Sequence, residues 1–162
     1  LSAHELMQAD FVRRFTKLLE LSHVTRPERL ILEVNEREFG QEASRIAASL
    51  KELRRWKIQL AIDDFTFGSL SLKQVQQLEV GHLKLDHELV HHLEDPLCEG
   101  LVRATLEVAN RLKCRVWAEG VESQEQLLKL KELGVHLVQG NFLSPPLLPG
   151  ALRDRLKEMK SR

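Results

Sequence analysis

Five short apolar runs punctuate this chain, and each ends on or beside a group that can hold a metal or a proton. The runs are Leu30–Val34, Ile58–Asp63, His82–Asp86, Cys114–Ala118 and Val135–Val138. Each is too short for a helix of its own, so each is predicted to be a strand. The stretches between them carry apolar residues at helical spacing. Residues 10–22 place Phe11, Phe15, Leu18 and Leu19 on one face, and residues 41–55 do the same with Ile46, Leu50 and Leu53. A loop at 65–69 leads into a short helix ending at Leu78, and residues 97–112 bring Leu101, Ala104, Val108 and Leu112 into phase. Gln124–Leu133 is predicted to stop at Gly134, and a last helix starts near 149. Strict β–α alternation with apolar strands predicts a parallel sheet wrapped by helices, its strands buried on both faces. An open doubly wound sheet and a (β/α)8 barrel both fit. A barrel takes about eight strands. Five are read here, so the sheet is either open or a barrel short of three strands.

Composition excludes several classes of function. The 162 residues suffice for one domain with a core, and no repeat or second domain interrupts 1–162. Lys plus Arg and Asp plus Glu both number 24, so the formal net charge is zero. That balance supplies no field to attract DNA, RNA or a membrane surface. No apolar run approaches the roughly 20 residues of a membrane span. Cys98 and Cys114 are too few for a disulfide framework and read as free thiols, which points to a reducing compartment, the cytoplasm.

The polar strand ends carry the chemistry. In parallel α/β folds, residues at the C-terminal ends of strands converge on one mouth. Here those residues are Glu33, Asp63 with Asp64, Lys84, Glu119 and Gln139. Glu33, Asp63, Asp64 and Glu119 offer hard oxygen donors suited to Mg²⁺ or Mn²⁺. Successive residues leaving a strand point in different directions, so the Asp63–Asp64 pair can address two ions. Two ions about 3.5–4 Å apart would clamp the attacking and leaving oxygens of a phosphodiester displacement. Lys84 can orient a water or neutralise a phosphate; among carboxylates its plainer reading is a salt bridge. Asp64 and Glu122, taken singly, also read as helix caps or solvated edges. His87-Glu88-Leu89-Val90-His91 formally matches the H-E-x-x-H zinc pattern, but Pro96 leaves room only for a short helix. A solvated, histidine-rich turn is the favoured reading there. Trp56 and Trp117 are expected to pack in the core.

The same residues resemble a known family. Leu32-Glu33-Val34-Asn35-Glu36 looks like the L-E-[IL]-T-E strand of EAL domains, and Ile62-Asp63-Asp64-Phe65 looks like their I-D-D-F segment. Leu83-Lys84-Leu85-Asp86 is similar to L-K-[IL]-D, and Ala118-Glu119-Gly120-Val121-Glu122 matches A-E-G-V-E. Val138-Gln139-Gly140, followed by Pro145-Pro146-Leu147, resembles V-Q-G-[YF] and the closing Pro-Leu. The resemblance implies a partial (β/α)8 TIM-like barrel of EAL type. It implies opening of cyclic di-GMP to the linear dinucleotide with Mg²⁺ or Mn²⁺. Glu33, Asp63, Asp64 and Glu119 would hold metal. Lys84, Glu119 and Asp64 would serve catalysis, Gln139 and Glu122 would shape the substrate pocket, and Glu36 would brace the loop after Asp64.

Departures from the pattern matter equally. The Glu-Ala-Leu glutamate of the family has no counterpart in these residues, and its metal-binding Asn would fall just before Leu1. On this reading the chain is the C-terminal two-thirds of such a domain, without about the first three strands. The loop reads Asp63-Asp64-Phe65-Thr66-Phe67-Gly68-Ser69 where the family tends to D-D-F-G-T-G-Y. Thr66 is therefore expected to resist a positive φ that glycine would accept. Asn35 stands where the family has threonine, a milder change. A fragment with little activity and a non-catalytic module that binds cyclic di-GMP or a protein are both compatible with these changes. An incomplete barrel exposes strand edges, so a homodimer or a partner covering that edge is expected.

Overall fold

The computed structural model describes residues 1–39 and 43–160. Five strands, β1 (Ile31–Asn35), β2 (Gln59–Phe65), β3 (His82–Leu85), β4 (Arg115–Ala118) and β5 (Leu137–Val138), form one sheet. They lie side by side in chain order, and every neighbouring pair is parallel. A doubly wound sheet reverses direction at a switch point; this sheet never does. With right-handed crossovers all stepping the same way, every connecting helix falls on the same side. The product is an arc of a (β/α)8-type barrel.

The register separates two rows of side chains. Val34, Leu60, Ile62, Leu83, Leu85, Val116 and Ala118 are buried and join one core with helix residues such as Ile46, Leu50, Leu53, Val75, Leu78, Val102, Ala109 and Leu130. Burial of each such aliphatic side chain is worth about 1.5–3 kcal/mol, so this layer holds the helices to the sheet. The alternate positions are Ile31, Glu33, Asn35, Gln59, Ala61, Asp63, His82, Lys84, Arg115, Trp117 and Leu137, of which Glu33, Gln59 and Arg115 are exposed and Ala61, His82 and Lys84 are buried. The expectation of strands buried and apolar on both faces is thus corrected. Helices cover one face; the barrel-interior face is mostly polar, and only β3 is buried along its whole length on both faces.

Nine helices are named here: α1 (Ala3–Leu6), α2 (Phe11–Leu21), α3 (Glu36–Phe39), α4 (Ala43–Arg55), α5 (Leu72–Leu78), α6 (His87–His91), α7 (Pro96–Leu112), α8 (Gln124–Leu133) and α9 (Pro149–Lys160). The predicted start of α4 at 41 lies outside the described residues. Gly134 ends α8 at φ 88°, as its position predicts, and Ser123 starts it through a capping box with Gln126. Other expectations shift. In α7 the buried face is Val102, Thr105 and Ala109, whereas Ala104 is exposed. The prediction counted apolar residues only, but the Thr105 hydroxyl donates to the Leu101 carbonyl at 2.9 Å and so enters the core satisfied. In α2 Leu18 is exposed while Phe11 and Leu19 are buried. Trp56 is exposed rather than core, because it lies beyond the last turn of α4, where Lys57 turns the chain at φ 59°. Trp117 is half-buried, and its indole N–H donates to His82 Nδ1 at 2.8 Å.

Candidate active site

A β-bulge creates the mouth of the site. Between β2 and β3 the pairing runs from Ile62↔Leu83 to Phe65↔Leu85, three steps on one strand against two on the other. The extra residue falls in Asp63–Asp64. Asp64 takes a left-handed φ of 50°, a conformation in which Asp is several-fold enriched among non-glycine residues. This re-aims the second carboxylate and lets adjacent aspartates play separate parts.

Lys84, on β3, is nearly inaccessible at 3% side-chain exposure. Its ammonium donates to Glu33 Oε2 at 2.8 Å, Asp63 Oδ1 at 2.9 Å and Glu119 Oε1 at 2.9 Å. Three strands and the end of β4 thus meet on one nitrogen. Burial alone would lower the Lys84 pKa; hydrogen bonds to Glu33, Glu119 and Asp63 outweigh it and push the net value up. The lysine is permanently protonated at neutral pH.

Asp64 is held differently. Its Oδ2 accepts from the Asn35 side-chain amide at 2.6 Å, and Asn35 Oδ1 accepts from the Arg37 N–H at 3.0 Å. Next to Asn35, Glu36 is 1% exposed. Its carboxylate accepts from Thr66 N–H at 2.8 Å, Thr66 Oγ1 at 3.1 Å, Ser69 N–H at 2.8 Å and Leu70 N–H at 3.1 Å. One buried carboxylate therefore ties down the whole loop that follows the aspartates. The expected strain at Thr66 is absent; the positive φ, 63°, falls on Phe67, whose ring packs on Phe65 at 4.7 Å. Thr66 instead contributes its hydroxyl to Glu36.

The remaining predicted residues lie around the rim. Gln139 follows β5 and is exposed; its N–H donates to Ala118 O, and its carbonyl accepts from Val121 N–H. Glu122 is exposed, and its N–H donates to Gln126 Oε1 at 2.8 Å. Gly140 permits this close approach, for a Cβ there would lie 2.1 Å from the Val121 carbonyl oxygen. No side-chain hydrogen bond or ion pair joins Gln139 or Glu122 to the Lys84 cluster among the described residues.

With this geometry in view, known proteins supply the context. The sequence profile described as "EAL domain" matches residues 1–146. The chain belongs to the EAL domain family. It is 32% identical over 151 residues to the bifunctional diguanylate cyclase/cyclic di-GMP phosphodiesterase MucR of Pseudomonas aeruginosa, matching 91% of this chain and 22% of that protein. The solved structure titled "PaMucR Phosphodiesterase, c-di-GMP complex" superposes at TM-score 0.86 with 31% identity, over 94% of this chain and 68% of that one. A manganese/cy-diGMP complex of Klebsiella pneumoniae BlrP1 superposes at TM-score 0.75 with 29% identity, over 84% of this chain and 35% of that one. The chain spans about a fifth of the length of the curated relatives it matches, 19% and 22% for two of them. The partial TIM-like barrel expected from the motifs is the fold of this EAL domain.

Does this EAL domain offer a site for a divalent cation? Among the described residues no three His, Cys, Asp or Glu side chains form a ready cage. The three carboxylates around Lys84 are gathered on its ammonium instead. Yet Glu33, Asp63 and Glu119 share a single lysine, and the neighbouring Asp64 has only the neutral Asn35 amide, so this end of the sheet keeps an excess of negative oxygen donors. Mg²⁺ binds through one or two carboxylates with waters and substrate phosphates rather than through all-protein cages. The donor set fits a cation of that kind.

The zinc-like motif does not converge. Its histidines, His87 and His91, are exposed on a helix of only five residues, His87 Nε2 lies 3.1 Å from Glu88 Oε1, and no group of three His, Cys, Asp or Glu side chains that could hold a metal is found among the described residues. The exposed, histidine-rich turn is the reading that fits. Asn35 and the hydroxyl of Thr66 join the site without any motif that marks them in the sequence. Their signal was position alone: Asn35 ends the strand that pairs with Asp63.

Proposed function

We propose that this EAL domain serves a metal-dependent phosphodiesterase site that opens cyclic di-GMP to the linear dinucleotide. The observation that carries the reading is the Lys84 ammonium, buried and shared by carboxylates from β1, β2 and the end of β4. A buried lysine with three charge-assisted bonds cannot act as a base at neutral pH. It remains an oriented cation, suited to aligning the attacking water and offsetting charge that builds on the phosphate. Asp63, Glu33 and Glu119 are thereby fixed in direction, and with Asp64 they are the residues that would hold Mg²⁺ or Mn²⁺. Such ions supply Lewis-acid polarisation of the phosphate and a more acidic water. Gln139 and Glu122 stand at the rim, where they would shape the pocket for the dinucleotide. Glu36 acts through the 66–70 loop and keeps the Asp63–Asp64 bulge in place.

No helix among the described residues is long and apolar enough to cross a membrane. The two cysteines are free, which agrees with a reducing, cytoplasmic setting. Turnover by the 162-residue chain alone is expected to be slow, since four carboxylates leave much of two coordination shells to water. A misplacement of about 1 Å can cost roughly 10²-fold in rate. The test is incubation with cyclic di-GMP and Mn²⁺, with the linear product followed by chromatography, for the parent and for Lys84→Ala. Product that disappears in Lys84→Ala supports the reading. Dinucleotide binding with no product from either, even at long times, replaces hydrolysis with the receptor reading.

A further inference from the structure

Four carboxylates stand at the strand ends, and they are restrained in two ways. Glu33, Asp63 and Glu119 share the positive charge of Lys84. Asp64 makes no ion pair among the described residues; its partner is the neutral amide of Asn35, 2.6 Å away. That amide is itself fixed. Asn35 Oδ1 accepts from the Arg37 N–H at 3.0 Å at the start of α3, so the amide nitrogen must be the end that faces Asp64. Asn35 also pairs in register with Asp63, which places it beside the bulge that carries Asp64. Asp64 sits at φ 50°, a backbone state that needs support from its surroundings.

We propose that Asn35 is a positioning residue for a cation at Asp64: its amide aims the carboxylate at the mouth and leaves the negative charge intact. A lysine or arginine in the same place would orient Asp64 equally well but would neutralise it. A residue without a donor would let the carboxylate turn to solvent. The amide on Oδ2 leaves Oδ1 as the oxygen to meet the ion. The inference rests on the reading of Asp64 as a metal-holding residue under the proposed function.

A double-mutant cycle distinguishes the two. Mn²⁺ alone is titrated into the full chain, into Asn35→Ala, into Asp64→Ala and into the double variant, with calorimetry as the readout and circular dichroism as the fold check. Residues that orient metal-holding groups typically change affinity by roughly 10- to 100-fold. Asn35→Ala is expected to weaken Mn²⁺ binding about ten-fold in the parent background and to change nothing once Asp64 is alanine. Asn35→Ser serves if the alanine variant folds poorly. Its hydroxyl can still accept from Arg37 N–H but is too short to reach Asp64, so the same loss is expected. If Asn35→Ala costs the same in both backgrounds, or nothing in the parent, the positioning role is refuted while the metal reading stands. If Asp64→Ala leaves Mn²⁺ binding unchanged, or the parent binds none at millimolar concentration, the metal reading of Asp64 fails and this inference falls with it.

Discussion

Replacing Glu36 by glutamine changes one atom and asks how the 66–70 loop is held. The carboxylate is 1% exposed. Oε2 takes the Thr66 N–H and hydroxyl at 2.8 and 3.1 Å, and Oε1 takes the Ser69 and Leu70 N–H groups at 2.8 and 3.1 Å. A glutamine offers one acceptor oxygen and one NH2 group. Its better orientation keeps the oxygen on Ser69 and Leu70 and turns the NH2 to Thr66, whose hydroxyl can rotate to accept. The Thr66 N–H is then left facing a donor. A buried N–H without an acceptor costs about 1–3 kcal/mol. Two surviving bonds also lose their charge assistance, which roughly doubles such interactions. The sum is about 2–4 kcal/mol. For a chain of this size each kcal/mol moves the melting temperature by about 2–4 °C, so Glu36→Gln is expected to lower Tm by roughly 5–15 °C. Hydrogen exchange at the Thr66, Ser69 and Leu70 amides should quicken in parallel. A variant that melts within about 2 °C of the parent, with those amides still protected, would show that the loop is held by its own packing and that the four bonds are incidental.

Other perturbations address other links. Lys84→Met leaves Glu33, Asp63 and Glu119 facing one another; with those groups partly solvated the expected cost is about 1–3 kcal/mol, and Mn²⁺ should raise the variant's Tm more than the parent's. Gly140→Ala sets a Cβ 2.1 Å from Val121 O and 2.3 Å from Val121 N, so a loss of about 3 kcal/mol or more, or no soluble protein, is expected in denaturant melts. Burial, and then Arg115, hold the His82 pKa below its ordinary 6.5. The unfolded chain therefore binds the extra proton first, so stability is full above that pH and falls as pH drops through it; melts of His82→Gln should lose this slope. The outer edges of β1 and β5 pair with no strand among the described residues, and Leu152, Leu156 and Met159 of α9 are exposed; light scattering is expected to give a dimer, and a stable monomer at high concentration would contradict that.

The fold was legible in the sequence because strand length, β–α alternation and strand-end polarity reinforce one another. Leu30–Val34 was predicted and Ile31–Asn35 is found; Gln124–Leu133 was predicted and found unchanged. Alternation alone could not distinguish an open sheet from a barrel arc. That distinction lies in strand order, which depends on where each crossover lands, and no local pattern encodes it. Helix faces failed where a polar side chain satisfied itself. Thr105 closes on Leu101 O and is buried, so a count of apolar residues chose the face containing Ala104, which is exposed. Trp56 failed for a different reason: the burial tendency of its type says nothing about a helix that ends one residue earlier.

The site was legible to the extent that it depends on strand ends. Glu33, Asp63, Lys84 and Glu119 come together because parallel strands in register deliver their C-terminal ends to one place. What the sequence hid is tied to the bulge. A bulge is a property of two strands, and only the pairing of β2 with β3 reveals that the extra residue falls in Asp63–Asp64. Once Asp64 adopts φ 50°, the following chain leaves at a different angle, and the next positive φ falls on Phe67 rather than on Thr66. Threonine at 66 is then no obstacle. Its N–H and hydroxyl reach the same Glu36 oxygen, and the hydroxyl bond is one that glycine could not make. The loop departs from the family's glycine-rich pattern, but Glu36 with one extra hydrogen bond can hold it as firmly as backbone freedom would have let it settle. The substitution that looked like damage in the sequence therefore reads in the structure as part of the clamp on the Asp63–Asp64 bulge.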